Sequence, residues 1–229
     1  MKNRQTGFTL VEIAIVLVII GLLMGGVLKG QELINSAKVK NFANDFRSIP
    51  MFIYAYQDKY RALPGDDINA TGHLGVTAAG DGATAGSTTT TNGDGDGVIK
   101  GAWNSTKTSD ESYLFWQHVR LAGLAPGSTD PTATEYIPKN ADGGIIGVTS
   151  GSSGALPIKG LRGTYFVCSS GILGKFAKQL DTMMDDGNTA GGSMMAAEIT
   201  VNTAQTTGVD ATATASIDDA KSYTVCMGL

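Results

Sequence analysis

FTLVEIAIVLVIIGLLMGGVL fills Phe8 to Leu28, with Thr9 and Glu12 as its only polar side chains, behind seven residues, Met-Lys-Asn-Arg-Gln-Thr-Gly. At 1.5 Å per residue such a stretch in a helix reaches about 31 Å, the hydrocarbon thickness of a bilayer. Lys2 and Arg4 are the only charges ahead of it. Positive charge before a span predicts a cytoplasmic N-terminus and export of everything that follows. An ordinary secretory signal would need a small-residue cleavage site after the apolar stretch, which Gly25, Gly26 and Gly30 supply only loosely. That reading leaves Glu12 without a reason. A carboxylate there costs about 2.5–3.5 kcal/mol in a lone membrane helix, so it needs a partner or a task.

The segment Gly7-Phe8-Thr9-Leu10-Val11-Glu12, behind its short basic leader, resembles the class III signal of the type IV pilin and type II secretion pseudopilin family. The resemblance implies that prepilin peptidase cuts between Gly7 and Phe8 and then N-methylates Phe8. Glu12 is then the fifth mature residue, the place this family keeps for glutamate, and its role is assembly. The new ammonium at Phe8 of one subunit neutralises Glu12 of its neighbour, because paired charges in low dielectric are favoured over two lone ones. The implied protein is structural and not an enzyme: a single-pass inner-membrane precursor with an exported head. On an inner-membrane assembly platform it joins other copies of itself and related pilins in an extracellular pilus. A type II secretion pseudopilin, in a periplasmic pseudopilus, shares all these features. A signal-anchored periplasmic binding module would keep the span but has no use for Glu12.

Beyond Gln31, apolar residues recur at steps of three and four: Val39, Phe42, Phe46, Ile49, Ile53, Tyr56 and Tyr60. This is one face of a continuing helix, predicted from Thr9 to Tyr60 and about 80 Å long. Pro50 lacks a backbone donor and is expected to kink it. Gly21, Gly25, Gly26 and Gly30 either loosen the span or allow close helix packing. The organisation expected is a leader (1–7), a transmembrane and filament-core half-helix (8–30), an amphipathic half-helix (31–61) and an exported head (62–229).

The run Ala62-Leu63-Pro64-Gly65-Asp66 ends the helix. In the head, helical spacing covers Glu111–Ala122 with Gly123 as its stop, and a second helix is expected over Ile172–Met184. Apolar runs at Gly144–Val148 and Thr164–Cys168 and a strand over Met194–Val201 point to a small antiparallel sheet. The fold class is therefore α+β, a pilin-like lollipop with the long helix packed on a small-sheet head. The stretches Gly72–Gly97 and Thr200–Ser216 are rich in Gly, Thr and Ala and read as exposed loops.

Cys168 and Cys226 are the only cysteines. In an exported domain they should pair; otherwise they are two buried free thiols. The loop Asn92-Gly-Asp94-Gly-Asp96-Gly97-Val98 places oxygen ligands at alternate positions before a tight turn, as in the first half of an EF-hand. The Val98 carbonyl takes the next place, giving a candidate structural Ca²⁺ site. Trp103 stands where a closing glutamate belongs, so Asp110 or Glu111 would complete the shell; a plain solvated turn is the alternative. No other cofactor is called for. His73 and His118 are isolated, and no nucleophile elbow, phosphate loop or His/Cys cluster is present. With a net charge of -4 and no basic stripe, nucleic acid is not an indicated partner.

Overall fold

The computed structural model describes residues 10–75, 90–151, 156–199, 204–205 and 207–229. The chain divides into two compact units, Met1–Lys38 and Val39–Leu229. One helix, α1 (Leu10–Tyr60), runs through the division. In the second unit it buries Val39, Phe42, Ala43, Phe46, Ile49, Ile53 and Tyr56, the stripe expected from the sequence except that its last member, Tyr60, is only half-buried. Each large apolar side chain so removed from water contributes about 1.5–3 kcal/mol. The helix is continuous through Pro50. The missing N–H there deprives only the Phe46 carbonyl of its helical donor.

Arg61 ends α1 in the left-handed conformation (φ 56°), its N–H donating to the Gln57 carbonyl at 2.9 Å. Gly65 follows with φ 94°. A Cβ at Gly65 would come within 2.4 Å of the Glu111 carbonyl oxygen, so the chain can turn here only with glycine. Beyond a short α2 (Ala70–Leu74) and the described loop from Thr90, α3 (Glu111–Leu121) lays Phe115 and Val119 into the core that also holds the α1 stripe.

The sheet has four antiparallel strands in the order β1-β2-β4-β3: β1 (Ile146–Ser150), β2 (Tyr165–Leu173), β3 (Met194–Ala197) and β4 (Ser222–Gly228). Helix α4 (Gly174–Met184) follows β2 directly. One sheet face carries Ile146, Val148, Val167, Met194, Tyr223 and Val225 against the α1 stripe and against Phe176 and Leu180 of α4. The other face, with Phe166, Cys168, Met195 and Cys226, is covered by Trp103, Ile158 and Leu161. Both faces are therefore dry, which is why these strands read as short apolar runs with little polar alternation.

Three expectations change. Ile172 and Leu173 belong to β2, pairing with Tyr223 and Ser222, and α4 starts only at Gly174. The strand from Met194 stops at Ala197, and Glu198 and Ile199 lie outside it; Thr200 and Val201 fall beyond the described residues. Strand β4, at the centre of the sheet, was not anticipated. Parts of the two Gly/Thr/Ala-rich stretches are also anchored rather than loose: Gln205 is buried, accepting from the Trp103 indole N–H at 2.6 Å.

Candidate functional site

In the first unit, every large apolar side chain from Leu10 to Ile34 is exposed, from 46 % at Ile20 to 90 % at Leu10. Its most apolar window has a mean hydropathy of 2.7, and α1 is the one helix among the described residues long and apolar enough to cross a membrane. Glu12 sits in the first turn of α1, where the helix dipole favours a carboxylate. Apart from the neighbouring backbone of the helix itself, nothing lies within 4 Å of the Cβ positions of Gly21, Gly25, Gly26 and Gly30, so this surface offers shallow places for another backbone. Lys29 and Glu32 form an exposed pair at 2.6 Å where the surface turns polar. Gly7 and Phe8 lie outside the described residues.

In the second unit the loop from Asn92 wraps around the exit of α1. Asp66, buried, accepts the N–H groups of Gly95 (2.7 Å), Asp96 (3.2 Å) and Gly97 (2.7 Å). Gly93 must be glycine, because a Cβ would come within 2.4 Å of the Asp66 Cα. Glu111, at the start of α3, accepts the N–H groups of Asp94 (3.0 Å) and Lys100 (2.8 Å). One carboxylate oxygen from each of Asp66, Asp94 and Glu111 lies within 4.8 Å of the others.

The converging oxygens are not the set expected from the loop alone. Asn92 Oδ1 accepts the Thr71 N–H at 2.9 Å, and Asp96 Oδ1 accepts the Val98 N–H at 3.0 Å. The Lys100 ammonium bridges Asp94 and Asp96, the latter at 2.5 Å. Asp110 instead accepts the Ser105 hydroxyl at 2.6 Å, which leaves Glu111 as the residue contributed by α3. Asp66, read in the sequence only as part of a helix stop, supplies the third carboxylate. Its type was visible, but nothing in a local motif connects it with a loop some thirty residues on.

Electrostatics within the cluster are divided. Burial pushes Asp66 up, its backbone donors pull it down, and the neighbouring Asp94 carboxylate raises it, leaving a net upward shift. Glu111 is likewise raised, by burial and by the charges of Asp66 and Asp94. Asp94 is lowered, chiefly by Lys100. Two buried carboxyls shifted upward thus face one shifted downward by its Lys100 partner.

The two histidines hold structure beside this cluster. His118, fully buried, accepts the Gly65 N–H on Nδ1 at 2.9 Å and donates from Nε2 to the Thr91 carbonyl at 2.7 Å. Burial lowers its pKa, so the ring is neutral. Asp67 accepts the Tyr56 hydroxyl and His73 Nδ1, each at 2.7 Å. Burial alone would raise Asp67, but these donors and the Asn69 N–H outweigh it and bring it below its usual value. No nucleophile is joined to either histidine by the hydrogen bonds described.

Cys168 and Cys226 are directly opposite one another in the β2–β4 register and are joined by a disulfide.

Residues 2–28 match the description of the prokaryotic N-terminal methylation motif. No curated protein and no solved structure matches the chain. With its short basic leader, its glutamate and its wholly exposed apolar helix, the N-terminus carries the class III signal of type IV pilins and pseudopilins.

Proposed function

We propose that this chain is a structural subunit of a type IV pilus or pilus-like filament. Prepilin peptidase cuts between Gly7 and Phe8 and methylates the new N-terminus, and the mature chain polymerises through α1. The observation that carries the reading is the methylation motif over residues 2–28 feeding into a helix whose large apolar residues from Leu10 to Ile34 are all exposed. So much exposed apolar surface demands lipid or other helices. Lipid serves the precursor stored in the inner membrane; other copies of α1 serve the filament. Glu12 then docks against the Phe8 ammonium of a neighbouring subunit.

The arrangement supports a structural rather than a catalytic role, since His118, Asp66, Asp67 and Glu111 are used in holding the backbone around the exit of α1. The disulfide near the C-terminus weighs toward a surface pilus over a secretion pseudopilus. The direct test is Glu12→Ala in cells that assemble the filament. Loss of the variant from filaments, with normal membrane levels, is expected; unchanged incorporation would sink the docking role.

The Asp66–Asp94–Glu111 cluster supports a second element of this reading, a structural Ca²⁺ tying the Asn92–Val98 loop to α3. Carboxylate oxygens are the ligands such a hard cation takes. Lys100 occupies part of the same acidic surface, so calcium would have to displace it from Asp94. Thermal unfolding of the full chain in detergent, with calcium and with chelator, tests this. A higher Tm with calcium that vanishes in Asp94→Asn is expected, and identical curves would reject the ion.

A further inference from the structure

Helix α4 buries Gly174, Phe176, Ala177, Leu180 and, on the same face, Asp181. Asp181 is 1 % exposed, and neither of its carboxylate oxygens has a hydrogen-bond partner. The Gly187 backbone N–H is the group that favours its ionised form. The strands packed on α4 (β2, β3 and β4) bring it no charged residue, and their titratable side chains are Tyr165, Tyr223 and the disulfide-linked cysteines. Helix α1 reaches α4 through Phe42 against Phe176. On α4 itself, Lys178 is paired with Asp219 at 2.5 Å and Lys175 lies over the Phe176 ring. The charges that act on Asp181 are those of Asp185 and Asp186, both negative. It also stands at the C-terminal end of a helix, where the dipole disfavours an anion and no basic residue occupies the last turn.

This carboxyl underlies a clasp. Asp185 accepts the N–H groups of Ser193 (2.6 Å) and Met194 (2.9 Å), fixing the start of edge strand β3. Thr189 and Thr212 then cover the outer side of that strand, the Thr189 carbonyl accepting the Ala196 N–H and the Ala196 carbonyl accepting the Thr212 N–H, each at 2.8 Å. Thr189 also donates its hydroxyl to the Thr212 carbonyl at 2.8 Å, closing the two segments over the edge. We propose that Asp181 is a proton-binding latch, whose protonation holds the α4–β3 turn closed over the sheet edge and whose ionisation loosens it.

Burial penalises the carboxylate far more than the neutral acid, and ionisation adds a third negative charge beside Asp185 and Asp186. Burial is the largest cause of an upward shift from 3.8 to about 6, with the two acidic neighbours adding to it and the Gly187 N–H opposing. The sign follows. The folded state holds this proton more tightly than the unfolded chain, so the group's stabilisation is complete below 3.8 and is lost as pH rises through about 6.

Hydrogen exchange of the full chain in detergent, corrected for the intrinsic pH dependence of amide exchange, reads the latch. Opening at residues 193–197 should rise on the order of tenfold between about pH 5 and pH 7.5 in the wild type and stay level in Asp181→Asn. Asp45, also raised to about 6 by burial, lies on α1 and is present in both proteins, so its effect cancels in the comparison. The same pH response in both proteins overturns the proposal, as does no response in the wild type. If the variant does not fold, carboxyl NMR of the wild type decides. The Ser193 and Met194 amides should shift together with an aspartate titrating near 6, and amides unmoved across that range reject the latch.

Discussion

Residues 10–34 and 39–60 of α1 share one continuous helix and differ in where their apolar side chains go. In the first stretch the large apolar side chains point in every direction and all are exposed; in the second, Val39, Phe42, Phe46, Ile49, Ile53 and Tyr56 form one buried stripe, while Met51 and Tyr54 stay exposed off it. A stripe can be satisfied by the chain's own sheet and helices, and the second unit does so. An apolar surface all round a single helix cannot be covered by one neighbouring face, so it is built for lipid or for several other helices. The difference teaches that helix periodicity, beyond predicting helix, separates a surface meant for the chain's own core from one meant for other molecules.

That contrast can be broken experimentally, beginning where the effect is largest. Replacing both cysteines by serine removes a link closing a sequence separation of 58 and should cost about 4 kcal/mol on the loop-entropy account. Chemical denaturation of the full chain in detergent measures it; a loss below about 1 kcal/mol would mean that the β2–β4 pairing needs no staple. Phe46→Ala, in the buried stripe, should cost about 3–4 kcal/mol, whereas Leu17→Ala in the exposed stretch should fall within about 0.5 kcal/mol. Equal losses would erase the distinction between the two stretches.

The pH response sharpens the picture of the second unit. His118 is held neutral with its pKa lowered by burial, so the folded state binds a proton there less readily than the unfolded chain. Its contribution is present above 6.5 and fades as pH falls below that value. The Tm of the wild type should therefore drop with acidification more steeply than that of His118→Gln; parallel curves would show that the ring does not govern this seam. The smallest effect belongs to Lys29→Ala, because the exposed Lys29–Glu32 pair is worth about 0.3–0.5 kcal/mol and should weaken with salt.

Much of the fold was legible in the residues. The spacing from Val39 to Tyr56 predicted the buried face of α1, and the helix expected over Glu111–Ala122, from Leu114, Phe115 and Val119 at helical intervals, is α3 at Glu111–Leu121 with Ala122 as its cap. The start of α4 was misplaced because Ile172 and Leu173 fit either a helix or a strand, and only pairing with β4 settles them. Strand β4 left a signal in Tyr223, Val225 and the flanking Thr224 and Cys226, but it is short and follows a polar loop. Helix α1 was readable from the sequence, since it depends on local order along the chain. Two members of the acidic cluster were readable, Asp94 in its loop and Glu111 as one of two candidates to complete the shell, while Asp66 reaches it only through tertiary folding. Nothing in the sequence around Asp181 singles it out, and its burial is what sets it apart.

The most direct test of the central claim is the intact mass, with N-terminal fragmentation, of the protein recovered from sheared filaments and from membranes. The account predicts a mature chain beginning at N-methylated Phe8 and present in the sheared filaments. Cleavage near Gly26 or beyond, or an uncut chain in every fraction, would contradict it.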